Sequence, residues 1–533
     1  MLSWPALVTR AAKPQRVALS LKLLRSTAVV GGMTSVSRVL GFIRDVVIAQ
    51  SFGAGAAADA FFVAFRIPNF LRRMFAEGAF SQSFVPVLAE YRTQRPREDT
   101  RALLDRIAGT LSLALALITV LGILAAPILI ALFAPGFIAS PDKFALGIGL
   151  LRITFPYILF ISLVAFAAGI LQTYGRFAVP AFTPSLLNLC MIAASLWLAP
   201  YCEQPIDALA WGVLAGGAAQ LLFQLPFLAR LGLLPFPRID WRDPGVRRVL
   251  RLMGPALLGV SVVQVNLLVS TLVASFLPAG SVSWIYYSDR LLEFPLGVFG
   301  VALGTVILPG LSRQHAAGAA EDFSRLLDWG LRWVFLIALP ASLGLILLAG
   351  PVLCTLFQYG EFSAHDVEMT RRSLVTYSSG LLAFVLVKVL APGFYARQDT
   401  RIPVRVAVQA MLANIVFIAV LVGPLAHAGL TLATALAGCV NALLLFIGLR
   451  RIGVYRASPG WAVFLLRVVV ANLAMATLIL LATPAMDEWL AWGAGARSWR
   501  LGALIGASGL VYVGALWLLG LRGRHITALR SPV

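Results

Sequence analysis

The chain has 533 residues, 60% of them hydrophobic and 12% charged, with a formal net charge of +20. So apolar a composition excludes an ordinary soluble domain and points to a protein that crosses a bilayer many times. The basic residues sit in short loops between apolar runs and form no continuous basic domain, so nucleic acid is not an expected partner.

Residues 1–25 are basic (Arg10, Lys13, Arg16, Lys22, Arg25) and contain no long apolar core or small-residue cleavage site, so they read as a cytoplasmic leader. A membrane helix needs about 20 apolar residues. Fourteen such runs follow, near 26–49, 57–87, 107–133, 145–173, 180–200, 207–229, 249–277, 282–309, 331–357, 374–396, 403–423, 427–449, 461–482 and 499–521. Pro68 interrupts the long second run. Alternate connections hold 29 and five of the loop Lys and Arg residues, respectively. Cytoplasmic loops are the basic ones, which predicts both termini inside and supports an even number of spans.

The chain repeats itself at an offset of 224 residues: Ser51-Phe52 matches Ser275-Phe276, Arg66 matches Arg290, and Pro127, Phe133 and Gly136 match Pro351, Phe357 and Gly360. The repeat unit is six helices, so both copies point the same way across the membrane. The predicted fold is therefore all-α. It is a polytopic membrane protein of 14 transmembrane helices, with two six-helix lobes in a parallel repeat about a pseudo-twofold axis along the membrane normal, plus two C-terminal helices. The expected divisions are the leader 1–25, an N-lobe 26–245 of spans 1–6, a C-lobe 246–458 of spans 7–12, and 459–533 with spans 13–14 and a cytoplasmic C-terminus.

Charge inside the spans carries the functional signal. A cation at the bilayer centre costs about 2.5–3.5 kcal/mol on insertion scales, so it usually faces a wet interior and has work there. Spans 1, 2 and 8 hold six Arg (Arg38, Arg44, Arg66, Arg72, Arg73, Arg290) against five acids (Asp45, Asp59, Glu77, Asp289, Glu293). Arg38 lies roughly 18 Å into span 1, and Asp45, seven residues on, shares its face. Arg44 points about 120° away from Arg38, toward a neighbouring helix. Arg290 and Glu293 form an i,i+3 pair on span 8 that partly neutralises itself. The cationic excess calls for an anionic substrate, weighed against the blander reading of ion pairs between helices. Arg73 and Arg152, near span ends, read as snorkelling.

Pro156, Pro255, Pro295 and Pro340, with Gly297, Gly300 and Gly304, mark either hinges or close helix packing. Asn69, Asn188, Gln264 and Asn266 read first as interhelical hydrogen bonds and second as substrate contacts. The four Cys are scattered and the four His far apart, so neither a disulfide framework nor a metal site is expected. There is no phosphate-binding loop, HExxH or G-x-S-x-G, and no cofactor or enzymatic role is expected.

Four long segments carry a resemblance: SRVLGFIRD (37–45), ADAFFVAFRIPNFLRRMFAEGAFSQSFVPVLAEY (58–91), GSVSWIYYSDRLLEFPLGVFGVALGTVILP (280–309) and KVLAPGFYARQDTRIPV (388–404). They closely resemble the MurJ (MviN) family of lipid II flippases, in the multidrug/oligosaccharidyl-lipid/polysaccharide exporter superfamily. The resemblance implies alternating-access transfer of undecaprenyl-pyrophosphate-linked peptidoglycan precursor from the inner to the outer leaflet of the bacterial cytoplasmic membrane. It implies substrate-binding roles for Arg38, Arg44, Arg72 and Arg290, with Asn69 at the cavity. Roles in gating or charge pairing fall to Asp45, Asp59, Glu77, Ser283, Asp289 and Glu293. Spans 13 and 14 correspond to a groove for the lipid tail. Some family members use a sodium site with carboxylates on spans 7 and 11, and this chain has none in mid-span there. The partners expected are lipid II, the membrane lipids, and proteins of cell-wall synthesis and division. The competing readings are an exporter of another polyprenyl-linked glycan or drug, and a membrane scaffold without transport. A cationic cavity disfavours a cationic drug.

Overall fold

Long apolar sequence satisfies its backbone polar groups inside a bilayer by forming helices, and helices are what the chain forms. The computed structural model describes residues 12–521, and gives the backbone alone at 12–29, 76–77, 256–265, 267, 299, 301–302 and 305. Among the described residues, ten helices are long and apolar enough to cross a membrane by length and composition. In chain order with four further long helical segments they are α1 (Ala12–Phe52), α2 (56–94), α3 (Arg97–Leu124), α4 (Pro141–Thr173), α5 (Ala178–Tyr201), α6 (Asp207–Arg230), α7 (Pro244–Ala274), α8 (281–316), α9 (Ala320–Leu347), α10 (Ala364–Tyr395), α11 (Arg401–Leu425), α12 (His427–Arg451), α13 (Trp461–Ala482) and α14 (Ala494–Leu518). The four outside the ten, α1, α2, α7 and α8, include the three that carry the intramembrane charges.

Two local features depart from the sequence reading. The helix of α1 begins at Ala12, well inside the stretch read as leader. In α2 the chain stays α-helical through Pro68 to Leu71 and then widens into a π-helical stretch, Arg72–Phe80. Helix α8 does the same after Pro295, over Leu296–Gly300. These two π segments start 224 residues apart, so the repeat extends to the irregularity itself. Wide turns of this kind occur often at functional sites. The repeat also shows in two short helices that follow α3 and α9, Ala126–Phe133 and Ala349–Leu356.

The chain forms two compact units. The first comprises residues 1–48, 64–130 and 144–261. Its core stacks Phe80, Phe84 and Phe166 with Leu104, Ile170 and Leu228 between α2, α3, α4 and α6. Asp105 of α3 anchors the connection to α7, accepting from Phe236 N (2.8 Å), while Asp243 caps α7 through Gly245 N (2.8 Å). In the same loop layer the Arg248 guanidinium, 2.8 Å from Glu90, holds that exposed carboxyl below its usual range.

The second unit comprises residues 49–63, 131–143 and 262–533. Ile307, Leu327, Val334, Val389, Leu445 and Leu449 fill its core between α8, α9, α10 and α12. Buried Asp328 of α9 accepts from Tyr455 OH (2.9 Å), Trp461 Nε1 (2.6 Å) and Ser458 N (3.2 Å), and pairs with Arg332 (3.0 Å). That one carboxylate fixes the start of α13. Arg497 secures α14: its buried guanidinium donates to the carbonyls of Trp489, Leu490, Cys354 and Gln358.

Candidate functional site

Helix α1 supplies the first cations. Arg38 is exposed. Arg44 is largely buried, with 12% of its side chain exposed, and donates Nε (3.0 Å) and Nη2 (2.6 Å) to Asp45 Oδ1. Its Nη1 reaches Asn188 Oδ1 on α5 (2.9 Å), and the Asn188 amide donates on to the Ser37 carbonyl (3.1 Å). One interhelical amide thus fixes both the guanidinium and the backbone of α1. Asn188 has the interhelical role first read for it; Asn266 has it too, accepting from Asn414 (2.7 Å).

On α2, Asn69 donates to the Phe65 carbonyl (3.2 Å) and accepts from Arg72 Nε (3.2 Å). Arg72 opens the π stretch. The side chains of Glu77 and Gln264 lie outside the described residues.

On α8, Arg290 sits between two acids, with Nη2 3.0 Å from Asp289 and Nη1 2.7 Å from Glu293. It also stacks 5.2 Å from the centre of the Tyr286 ring. A quarter of its side chain is exposed. The i,i+3 spacing of Arg290 and Glu293 is realised as an ion pair, and Tyr377 of α10 stands close enough to couple to this triad. Two carboxylates thus flank one guanidinium on α8.

Asp59 and Ser283 form a different kind of site. Asp59 is 1% exposed. Its Oδ1 accepts from Ser283 N (2.9 Å) and Oγ (2.7 Å), and its Oδ2 from Gly280 N (2.8 Å). These amides are orphan donors at the N-terminus of α8, so Asp59 caps that helix from another helix altogether. Gly280 has φ 99°, which a side chain would strain, and this turn aims its N–H at Asp59. Lys143 closes the cluster, its Nζ 2.8 Å from Asp59 Oδ2 and 4.2 Å over the Phe137 ring.

Around this cap the two repeats meet through equivalent residues. Ser283 is Asp59 plus 224. Tyr286 is Phe62 plus 224, and these rings stack at 4.0 Å and 23°. Gly136 N donates to Ser275 Oγ (3.0 Å), while Glu361 N, beside the equivalent Gly360, donates to the carbonyl of Gln50 (2.9 Å). Self-pairing and reciprocal contacts are what a two-fold relation produces at its axis. The sequence reading did not single out Lys143, Gly280, Phe62 or Tyr286. The signal available was the offset: adding 224 to Asp59 and Phe62 names their partners.

Nine of the predicted residues thus fall into four groups: Arg44 with Asp45, Arg72 with Asn69, Asp59 with Ser283, and Arg290 with Asp289 and Glu293. No cluster of three His, Cys, Asp or Glu side chains suited to a metal occurs among the described residues.

Comparison with known proteins agrees over nearly the whole chain. The family model described as lipid II flippase MurJ matches residues 48–494. A relative from Vibrio cholerae, named a probable lipid II flippase MurJ, is 49% identical over 96% of this chain and 99% of its own. One from Burkholderia cenocepacia, named lipid II flippase MurJ, is 45% identical over 94% of this chain and 98% of its own. A solved structure of a lipid II flippase MurJ in an inward closed conformation matches with a TM-score of 0.76 at 26% identity, covering 92% of this chain and 97% of that one. An inward-facing multidrug-resistance transporter of the MATE family shares the fold, with a TM-score of 0.63 at 17% identity over 78% of this chain and 94% of that one. The all-helical repeat, its intramembrane arginines and this full-length similarity together place the chain in the MurJ family of lipid II flippases.

Proposed function

We propose that this protein carries lipid II from the inner to the outer leaflet of the bacterial cytoplasmic membrane by alternating access, with both termini in the cytoplasm. The observation that carries the reading is near-full-length similarity to MurJ proteins combined with arginines held within α1, α2 and α8. A diphosphate suits such residues, because a guanidinium fork grips two oxygens at once.

Arg38, Arg72 and Arg290 are the head-group ligands in this proposal. Arg44, held by Asp45 and Asn188, orients α1. Asn69 steadies Arg72. At Arg290 the diphosphate competes with Asp289 and Glu293 for the same donors, so arrival of substrate releases two carboxylates on α8. That release couples binding to movement of α8, whose N-terminus Asp59 and Ser283 hold at the outer end. The prenyl chain stays in lipid or along α13 and α14, so only the polar head crosses through protein.

The test is replacement in a flippase-depleted cell. Arg290→Ala at wild-type protein level should fail to support growth, and lipid II should accumulate in the inner leaflet. Normal growth and normal leaflet distribution would refute the binding role of Arg290.

A further inference from the structure

Lys143 begins in sequence as one of five cations in the sparsely charged set of loops. In the structure its side chain is 11% exposed and lies against an almost wholly buried carboxylate, Asp59. The other three contacts to Asp59, from Gly280 N, Ser283 N and Ser283 Oγ, come from uncharged donors. Among the described residues, Lys143 is therefore the one full positive charge in contact with Asp59. The ownership of these contacts matters. Asp59 and Lys143 belong to the same repeat, whereas Gly280 and Ser283 belong to the other. At the positions 224 residues on, the second repeat has Ser283 and Val367, so the ion pair occurs in one copy only.

We propose that Lys143 is a positioning residue for transport: it neutralises Asp59 in both states of the outer end, so that the carboxylate can cap α8 on closing and release it on opening. The proposal rests on the transport reading. When the outer end opens, contacts between repeats break and the Asp59–Lys143 pair travels together, with water replacing the α8 donors. Without Lys143 the closed state buries a carboxylate without its counter-charge, whereas the open state hydrates it. Burial of an unpaired charge is far costlier than its exposure, so loss of Lys143 shifts the protein toward the open form.

The experiment uses full-length protein whose four native cysteines are replaced. Phe62→Cys and Tyr286→Cys report closure by cross-linking across the stacked pair, and opening by labelling with an impermeant maleimide. Adding Lys143→Met should lower cross-linking by about threefold or more and raise labelling correspondingly. The same substitution, without the reporter cysteines, should reduce lipid II transfer at unchanged protein level. Lys143→Arg should keep both readouts within about twofold, because it retains the charge. Adding Asp59→Asn to Lys143→Met should restore part of the cross-linking, since no uncompensated charge remains. Unchanged cross-linking and transfer in Lys143→Met would overturn the proposal, as would a Lys143→Arg protein as impaired as Lys143→Met. If Lys143→Met does not accumulate, the double variant decides: its accumulation with restored cross-linking supports the proposal, and its failure to accumulate overturns it. A shift in cross-linking with lipid II transfer untouched would overturn the role of Lys143 in transport, whereas absence of lipid II transfer in the unsubstituted protein would overturn the transport reading itself.

Discussion

Ser283 donates both its backbone N–H (2.9 Å) and its hydroxyl (2.7 Å) to one oxygen of Asp59, the residue at its own position in the other repeat. Two identical residues there would be two acids in repulsion or two hydroxyls with no strong acceptor. With an acceptor in one repeat and a donor in the other, the contact becomes a helix cap. Lys143 and Gly280 complete it, and the Phe62–Tyr286 stack continues it one turn away. The cap is thus made of non-identical equivalents.

The Phe62–Tyr286 stack should couple measurably to closure. In a double-mutant cycle of Phe62→Ala and Tyr286→Ala, read by thermal stability or by labelling of a cysteine in the outer end, the interaction term should be about 0.5–1.5 kcal/mol. Additive effects would show that the rings contribute by burial alone.

Arg290→Lys keeps the charge but cannot span Asp289 and Glu293 with two parallel arms. Lipid II transfer in this variant should fall about tenfold or more, with protein level and folding intact. Leaflet-accessibility measurements on labelled lipid II check this. Wild-type transfer would mean that a point charge suffices at this position.

Asn188→Leu strips Arg44 of an acceptor and the Ser37 carbonyl of a donor in a buried setting. A loss of about 1–3 kcal/mol is expected, seen as a lowered unfolding midpoint in detergent. Asn188→Asp should hold Arg44 better than leucine does, because the carboxylate restores its acceptor.

Trp461→Phe removes the 2.6 Å indole bond to Asp328 and leaves three partners. Its cost should be near 1 kcal/mol. Asp328→Leu strands four donors at once and should cost several times more. Proteolysis of the connection between α12 and α13 would rise in step, because Asp328 ties it to α9 together with Ser324 and Arg332.

Gly360 has φ 57°, and a Cβ there would run into the carbonyl of Gln50. Gly360→Ala should therefore destabilise the contact of residues 357–363 with Gln50, and increase cysteine labelling there. Gly344→Ala, where a Cβ meets open space, serves as the neutral control.

The sequence alone determined a great deal. Apolar runs of bilayer length fixed the helical class, because no other backbone arrangement but a closed barrel satisfies itself in lipid. The 224-residue offset matched residues 127–136 with 351–360 but read them as the ends of single spans, which the structure breaks into the short helices Ala126–Phe133 and Ala349–Leu356; the i,i+3 spacing foretold the Arg290–Glu293 pair, which depends on local periodicity. The long motifs identified the family. Only the tertiary structure decided partners between helices. It assigned Arg44 to Asn188, 144 residues away, and Lys143 to Asp59, and it placed the α8 N-terminus on that same carboxylate. It also put widened turns after Pro68, read as an interruption, and after Pro295, read as a hinge or packing position. Hydrophobic patterning fixes which residues share a face. Which face meets which depends on packing among many helices of similar apolarity, and buried polar groups then take the partners that packing leaves within reach.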